Sequence, residues 1–272
     1  MLPPSRMIAG AVLLVGAAPA FAQDMARLPP EPPAALRDLT TDRPDTTESP
    51  FTVDAGHVQI ETTILAYSLG PRGDSGRRGD RFDLGVTNIR IGLTPDVEVD
   101  LGFQPVAFVS DDGAGRRAGV GAVVVRAKYN IVGNAGDGAA LALLPYVTIP
   151  IDRGSGVGPD AVEVGLIVPL SLPIGGRFGL GLNAGITAAA RARGGPLRIG
   201  ALASASLAIA WSGRLGSYHE VAGAFDDETI VSVNNGLTWK ASDSLQFDAG
   251  VGIGVTRDSD AVAPFVGISI RY

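Results

Sequence analysis

The chain contains no cysteine, which excludes disulfide stapling, thiol catalysis and cysteine-based zinc sites. Histidine is scarce too. His57 and His219 are the only two, and neither an H-x-x-x-H nor an H-E-x-x-H spacing can be made from them, so no metal site follows from motif. No cofactor motif is present. Beyond the first residues no apolar run approaches the roughly 20 residues of a transmembrane helix. The 37 glycines lack the three-residue period of collagen. The formal charge of −6 leaves no basic footprint for nucleic acid, so none is expected as a partner.

What is present begins with a secretory signal. Met1 to Arg6 is short and basic, Met7 to Ala18 is apolar, and Ala20-Phe21-Ala22 is a small-x-small cleavage site. The expected division is therefore a signal peptide over 1–22, a Pro-rich N-terminal segment over 23–55 and a single β-domain over 56–272. Cleavage removes Arg6 and no acid, so the formal charge moves from −6 to −7. The segment from Asp24 to Pro50 holds Pro29, Pro30, Pro32, Pro33, Pro44 and Pro50 and reads as extended chain, not as a regular element.

From Val58 onward apolar residues recur with period two. Val58, Ile60, Thr62, Ile64 and Ala66 are expected on one face, with Gln59, Glu61 and Thr63 on the other. Val97, Val99, Leu101 and Phe103 oppose Glu98, Asp100 and Gln104, and Val123, Val125, Ala127 and Tyr129 oppose Val124, Arg126 and Lys128. The pattern runs to Tyr272 and predicts about twelve strands of roughly 9 to 11 residues, the length that crosses a bilayer when tilted. Two registers are ambiguous: parity changes between Phe82/Leu84/Val86 and Ile89/Ile91/Leu93, and 215–225 has no clear face.

The two faces set the class. One is almost purely apolar with no charge in its middle; the other is mostly Gly, Ala, Ser and Asn with isolated charges, unlike the solvated face of a soluble sandwich. Connectors alternate. Ser68 to Asp80, Ser110 to Gly119 and Asp152 to Asp160 read as long outer loops, against short turns such as Thr94-Pro95-Asp96 and Ser212-Gly213-Arg214. Tyr129, Phe178, Trp211, Trp239 and Tyr272 fall at strand ends on one side, as an interfacial aromatic girdle would. These features predict an all-β fold: an antiparallel transmembrane β-barrel of about twelve strands, integral to a bacterial outer membrane. The terminal "PFVGISIRY" looks like the C-terminal strand signal read by the barrel assembly machinery, an expected partner during biogenesis beside outer-membrane lipid and a small-molecule solute.

The stretches "TDRPDTTESPFTVDAGHVQIE", "IRIGLTPDVEVDLG", "GVGAVVVRAKY", "LALLPYVTIPID", "LQFDAGVGIGVTRD" and "FVGISIRY" resemble the meta-pathway phenol-degradation family of outer-membrane transporter-like barrels. The resemblance covers nearly the whole mature chain and implies passage of hydrophobic or aromatic compounds. Two positions depart from it. Ala122 stands where an acidic residue is usual, and Ile151-Asp152 where a threonine-glycine pair is.

The lumen candidates are Gln59, Glu61, Arg90, Glu98, Asp100, Gln104, Arg126, Lys128, Glu163, Glu220, Lys240 and Asp248, with Arg271 at the end of the chain. They either line a selective path or pair with one another and close the interior. Barrels of about eight strands are filled by side chains and those of 16 to 18 are open, so twelve leaves room for a short plug. Asp42, Arg43, Asp45 and Glu48 are the plug candidates: Arg43 for lumen carboxylates, Asp42 or Asp45 for Arg90, Arg126 or Lys128. A channel for passive uptake or export of small molecules is the leading reading, and no enzyme is expected. The alternatives are a structural or adhesive barrel acting through outer loops such as "SDDGAGRR" and "GPRGDSGRRGD", the latter carrying both Arg72-Gly73-Asp74 and Arg78-Gly79-Asp80, and a hydrolase using Ser217 or Ser232, His219, and Asp248 or Glu220. Outside a hydrolase, His219 is expected at the membrane interface.

Overall fold

A computed structural model describes residues 36–72, 78–111, 115–136, 138–190 and 196–272; the expected signal peptide and the start of the Pro-rich segment lie outside these described residues. Fourteen ladder segments follow one another: β1 (Val58–Arg72), β2 (Arg78–Thr94), β3 (Val97–Phe103), β4 (Val106–Asp111), β5 (Gly115–Gly119), β6 (Ala122–Val132) and β7 (Ala140–Pro150). Then come β8 (Glu163–Gly175), β9 (Phe178–Ala189), β10 (Arg198–Ala210), β11 (Leu215–Phe225), β12 (Thr229–Ser242), β13 (Leu245–Gly254) and β14 (Ala263–Arg271).

All pairings are antiparallel, and β1 pairs with both β2 and β14, so the sheet closes on itself. β3 and β4 both pair with β2 and form one crossing, interrupted at Gln104-Pro105. Proline has no N–H to give the ladder there. β5 and β6 likewise form one crossing, facing β4 and β3. The result is a twelve-stranded closed barrel. Closure satisfies the backbone within the wall, the condition for a sheet in lipid.

The outer face carries Leu101, Val125, Val164, Ile186, Val221, Leu237 and Val266, all exposed. Tyr129, Phe178, Trp211, Trp239 and Tyr272 are exposed at the short-turn end. Arg177 covers the rings of Trp211 and Phe178 at 4.6 and 5.5 Å. Placing this end in the periplasm follows from the usual asymmetry of turns and loops.

Several expectations need correction. Strands reach 17 residues in β2, longer than a bilayer crossing, because β1, β2, β4 and β5 run on as a hairpin extension beyond the wall. The loops expected over 68–80 and 110–119 are therefore largely ladder, with 73–77 and 112–114 outside the described residues. In β1 the register shifts between Thr63 and Leu65, and Ile64 and Leu65 are both exposed. Ala66 consequently leaves the face it was expected to share with Ile60. The parity change in β2 has its counterpart at Gly85, whose φ of 66° lies where glycine is at ease and other residues are strained. Phe82 and Leu84 face out before it, Asn88 and Arg90 face in after it. The ambiguous β11 places Tyr218, Glu220 and Ala222 inward, buried.

Candidate functional site

The interior is occupied by the chain's own N-terminal segment. Arg37 and Asp54, 17 residues apart, meet at the turn end through an ion pair of 2.5 Å. Arg271 joins them, donating to the Arg37 carbonyl at 2.8 Å and to Asp54 at 3.3 Å. Between these roots the segment runs up into the lumen and back as a loop, then enters β1.

This segment forms no ladder, so its N–H groups need other acceptors. Carboxylates on the wall supply them. Glu61 on β1 accepts from the amides of Asp42 and Arg43, each at 3.1 Å. Glu220 on β11 accepts from those of Thr46 and Thr47 at 3.1 and 2.7 Å, and Glu98 on β3 from that of Val53 at 2.6 Å. Asn130 donates to the Pro50 carbonyl at 2.9 Å, and Asn183, with its amide oriented to suit, grips the backbone of Glu48 at 2.6 and 3.1 Å. Pro44 and Pro50 bring no N–H to satisfy. Irregular backbone at membrane depth is tolerated only inside such a lined cavity, which accounts for a stiff polar lead-in directly before a strand.

Charges at the centre form one connected set. Arg90 contacts Glu98 at 2.9 Å and Glu61 at 2.8 Å; Lys128 contacts Asp42 at 2.8 Å and Glu98 at 3.0 Å. Arg126 contacts Glu48 at 2.5 Å, Asp100 at 3.0 Å and Asp42 at 3.3 Å. Arg43 pairs with Asp248 at 2.6 Å and also donates to Thr63. Oxygens of Asp42, Glu98 and Asp100 lie within 4.8 Å of one another, close enough to hold a cation in principle; Arg90, Arg126 and Lys128 already provide the positive charge there.

The plug carboxyls differ. Burial works to raise Asp42, but Arg90, Lys128 and Arg126 hold it well below the usual carboxylate range. Asp45 is not brought to any of the three cations expected for it. Burial pushes it up to about 7, with Glu220 and Asp42 adding to the rise against a hydroxyl contact from Ser206.

Of the wall candidates, Gln59, Glu61, Arg90, Glu98, Asp100, Lys128, Glu220, Asp248 and Arg271 are buried in the interior. Gln104 lies higher, with Arg81 and Asp83. Glu163 accepts from Tyr146 at 3.0 Å near the outer mouth, and Lys240 lines a cavity at the turn end. His219 departs from the expected interface: it sits on the outer face midway along β11, 2.7 Å from Asn235. Glu220 and Asp248 are on the opposite side of the wall, so the proposed hydrolase set does not assemble. Of the two RGD triplets, Gly73 and Asp74 lie outside the described residues; Arg78 to Asp80 are ladder residues of β2.

Sequence reasoning missed the uncharged partners of the plug. Asn183, Ser204 and Asn234 ring its tip: Ser204 meets the plug's Thr47 at 2.8 Å and Asn234 donates to Glu220 at 2.6 Å. The only signal was their place on the Gly/Ala/Ser/Asn face. Cavities flank the plug. One of about 590 Å³ lies at the outer mouth, one of about 370 Å³ above the plug and one of about 400 Å³ below it.

The fold is that of outer-membrane barrels. An outer-membrane channel from Pseudomonas putida F1 superposes with a TM-score of 0.60 at 13% identity, covering 86% of this chain and all of that one. The translocator domain of the autotransporter NalP from Neisseria meningitidis gives 0.53 at 13% identity, with 80% and 90% covered. The KdgM porin gives 0.51 at 10% identity, with 78% and 98% covered. No curated protein matches the sequence. The family model described as the MetA pathway of phenol degradation matches residues 41–272, a span that begins within the plug and ends with the last strand. The chain belongs to that family, as an integral barrel of the outer membrane.

Proposed function

We propose that this barrel is a passive outer-membrane channel for small hydrophobic or aromatic molecules, held closed at rest by residues 36–57 acting as a plug. The observation that carries this reading is the pairing of a docked N-terminal loop with cavities on both of its sides, the upper one shared with the outer mouth through Thr148 and Pro159. A structural barrel would have no use for an approach from the mouth down to the plug. The upper cavity combines apolar walls, Val86, Ala122 and Val124, with a few polar groups, the usual make-up of a small-molecule site. The family's link to phenol degradation supports the same class of solute. Under this reading the wall charges serve first to dock the plug, and they face the solute only where the plug leaves them uncovered.

A second reading, a permanently closed surface barrel, draws support from the density of ion pairs around Arg90 and Lys128. Liposome swelling separates the two. The refolded protein, beside a variant lacking Asp24 to Pro50, is tested with sugars, small carboxylates and phenolic solutes. Solute-dependent swelling that increases on deletion is expected; no swelling from either protein would favour the closed surface barrel.

A further inference from the structure

The cavity above the plug and the cavity below it share one residue in their walls, Arg43. The upper cavity continues to the outer mouth, and the lower one reaches Ser212, Gly213 and Arg214 in the turn between β10 and β11. Everything needed for a route across the membrane is thus present except at this side chain. We propose that Arg43 is the gate of the channel: its side chain alone divides the route, and its withdrawal joins the two cavities while the plug backbone stays docked. This rests on the channel reading above.

The backbone around Arg43 is fixed independently of its side chain. The amides of Asp42 and Arg43 are held by Glu61, and those of Thr46 and Thr47 by Glu220. The guanidinium, by contrast, is held only by side chains of the wall, Asp248 at Nε and one terminal nitrogen and Thr63 at the other, and its side chain keeps 15% of its exposure where Arg90 and Lys128 keep none. Releasing this side chain breaks only its contacts with Asp248, Thr63 and the Phe265 ring, whereas a docked loop moves as a unit.

The floor under the guanidinium explains what could pass. Arg43 lies against Gly267, where an added Cβ would collide with it, and over the ring of Phe265 at 5.5 Å. Gly250 adjoins both Phe265 and Tyr218. Withdrawal of Arg43 therefore uncovers bare backbone at Gly267 beside the ring of Phe265, next to Gly250, which Phe265 and Tyr218 already cover, within an interior otherwise lined by charge. A flat, weakly polar ring can take the place of the guanidinium on Phe265; a branched or strongly hydrated solute cannot do so without loss.

The test uses the full mature chain in planar bilayers and liposomes. Arg43→Ala is expected to raise single-channel conductance several-fold, and Asp248→Asn to make opening more frequent without changing its size. Because the chain has no cysteine, Thr47→Cys with Ser204→Cys, whose hydroxyl oxygens are 2.8 Å apart, allows the plug to be locked by oxidation. The gain from Arg43→Ala should survive that lock. Loss of the gain on oxidation would show that the plug must move, and would overturn the proposal. Conduction by the deletion variant without a gain from Arg43→Ala would overturn the gate and leave the channel standing; conduction by none of the proteins would remove both.

Discussion

At the scale of single residues, Glu61 and Glu98 each answer two demands, for a cation beside them and for plug amides that have no ladder. Glu98 takes Arg90, Lys128 and the amide of Val53. Removing one member of such a buried set leaves the others uncompensated. Lys128→Met should cost roughly 3 to 5 kcal/mol, read as a lower midpoint in urea unfolding followed by Trp211 and Trp239 fluorescence. Asp45 behaves differently because no cation pairs with it among the described residues. Its ordinary value is 3.8 and it rises to about 7 when docked, so the docked loop holds the proton more tightly than the free one. Docking is then strongest in acid and weakens as pH climbs from about 4 to about 7, with no further loss above. Protease cleavage within residues 36–57 should therefore become faster between pH 5 and pH 7, and Asp45→Asn should flatten that dependence. The inward direction of Glu98 or Lys128 could be read from alternation alone. The lack of a cation beside Asp45 could not, since it depends on how far up the lumen the loop carries it.

At the scale of elements, β1 and β2 change parity side by side, one by an irregularity after Thr63 and the other at Gly85. A β-branched residue at a φ of 66° would be strained by about 1 to 3 kcal/mol. Gly85→Val should therefore lower the thermal midpoint and slow refolding into detergent, seen as a larger share of the heat-sensitive band on a gel. Strand positions were legible because lipid outside and plug inside enforce a period of two over each crossing. The lengths were less so. The chain over 110–119 alternates weakly and is rich in glycine and arginine, so it reads as a loop; pairing of β5 with β4, which itself pairs with β2, makes it ladder. The plug was legible as a segment from its prolines and charges, but its acceptors lie on strands as distant in sequence as β13, and no local pattern connects them.

At the scale of the whole molecule, the short turns and both ends of the barrel chain share one side. Cysteines introduced singly at Gly158 and Ser244 should separate cleanly: a membrane-impermeant reagent added to intact cells labels the first and spares the second. The reverse result would invert the orientation. The side with Gly158 is also the side from which the upper cavity is reached, so the same labelling fixes the direction from which a solute meets Arg43.

The seam between β1 and β14 couples the two ends of the chain. Tyr272 and Val58 exchange backbone hydrogen bonds at 2.8 and 3.2 Å, while the neighbouring Arg271 clasps the roots of the plug. Two adjacent residues of β14 and its edge thus fasten both the wall and its stopper. Loosening the seam would slacken the stopper with it, so closing the hoop and corking it are one act of assembly.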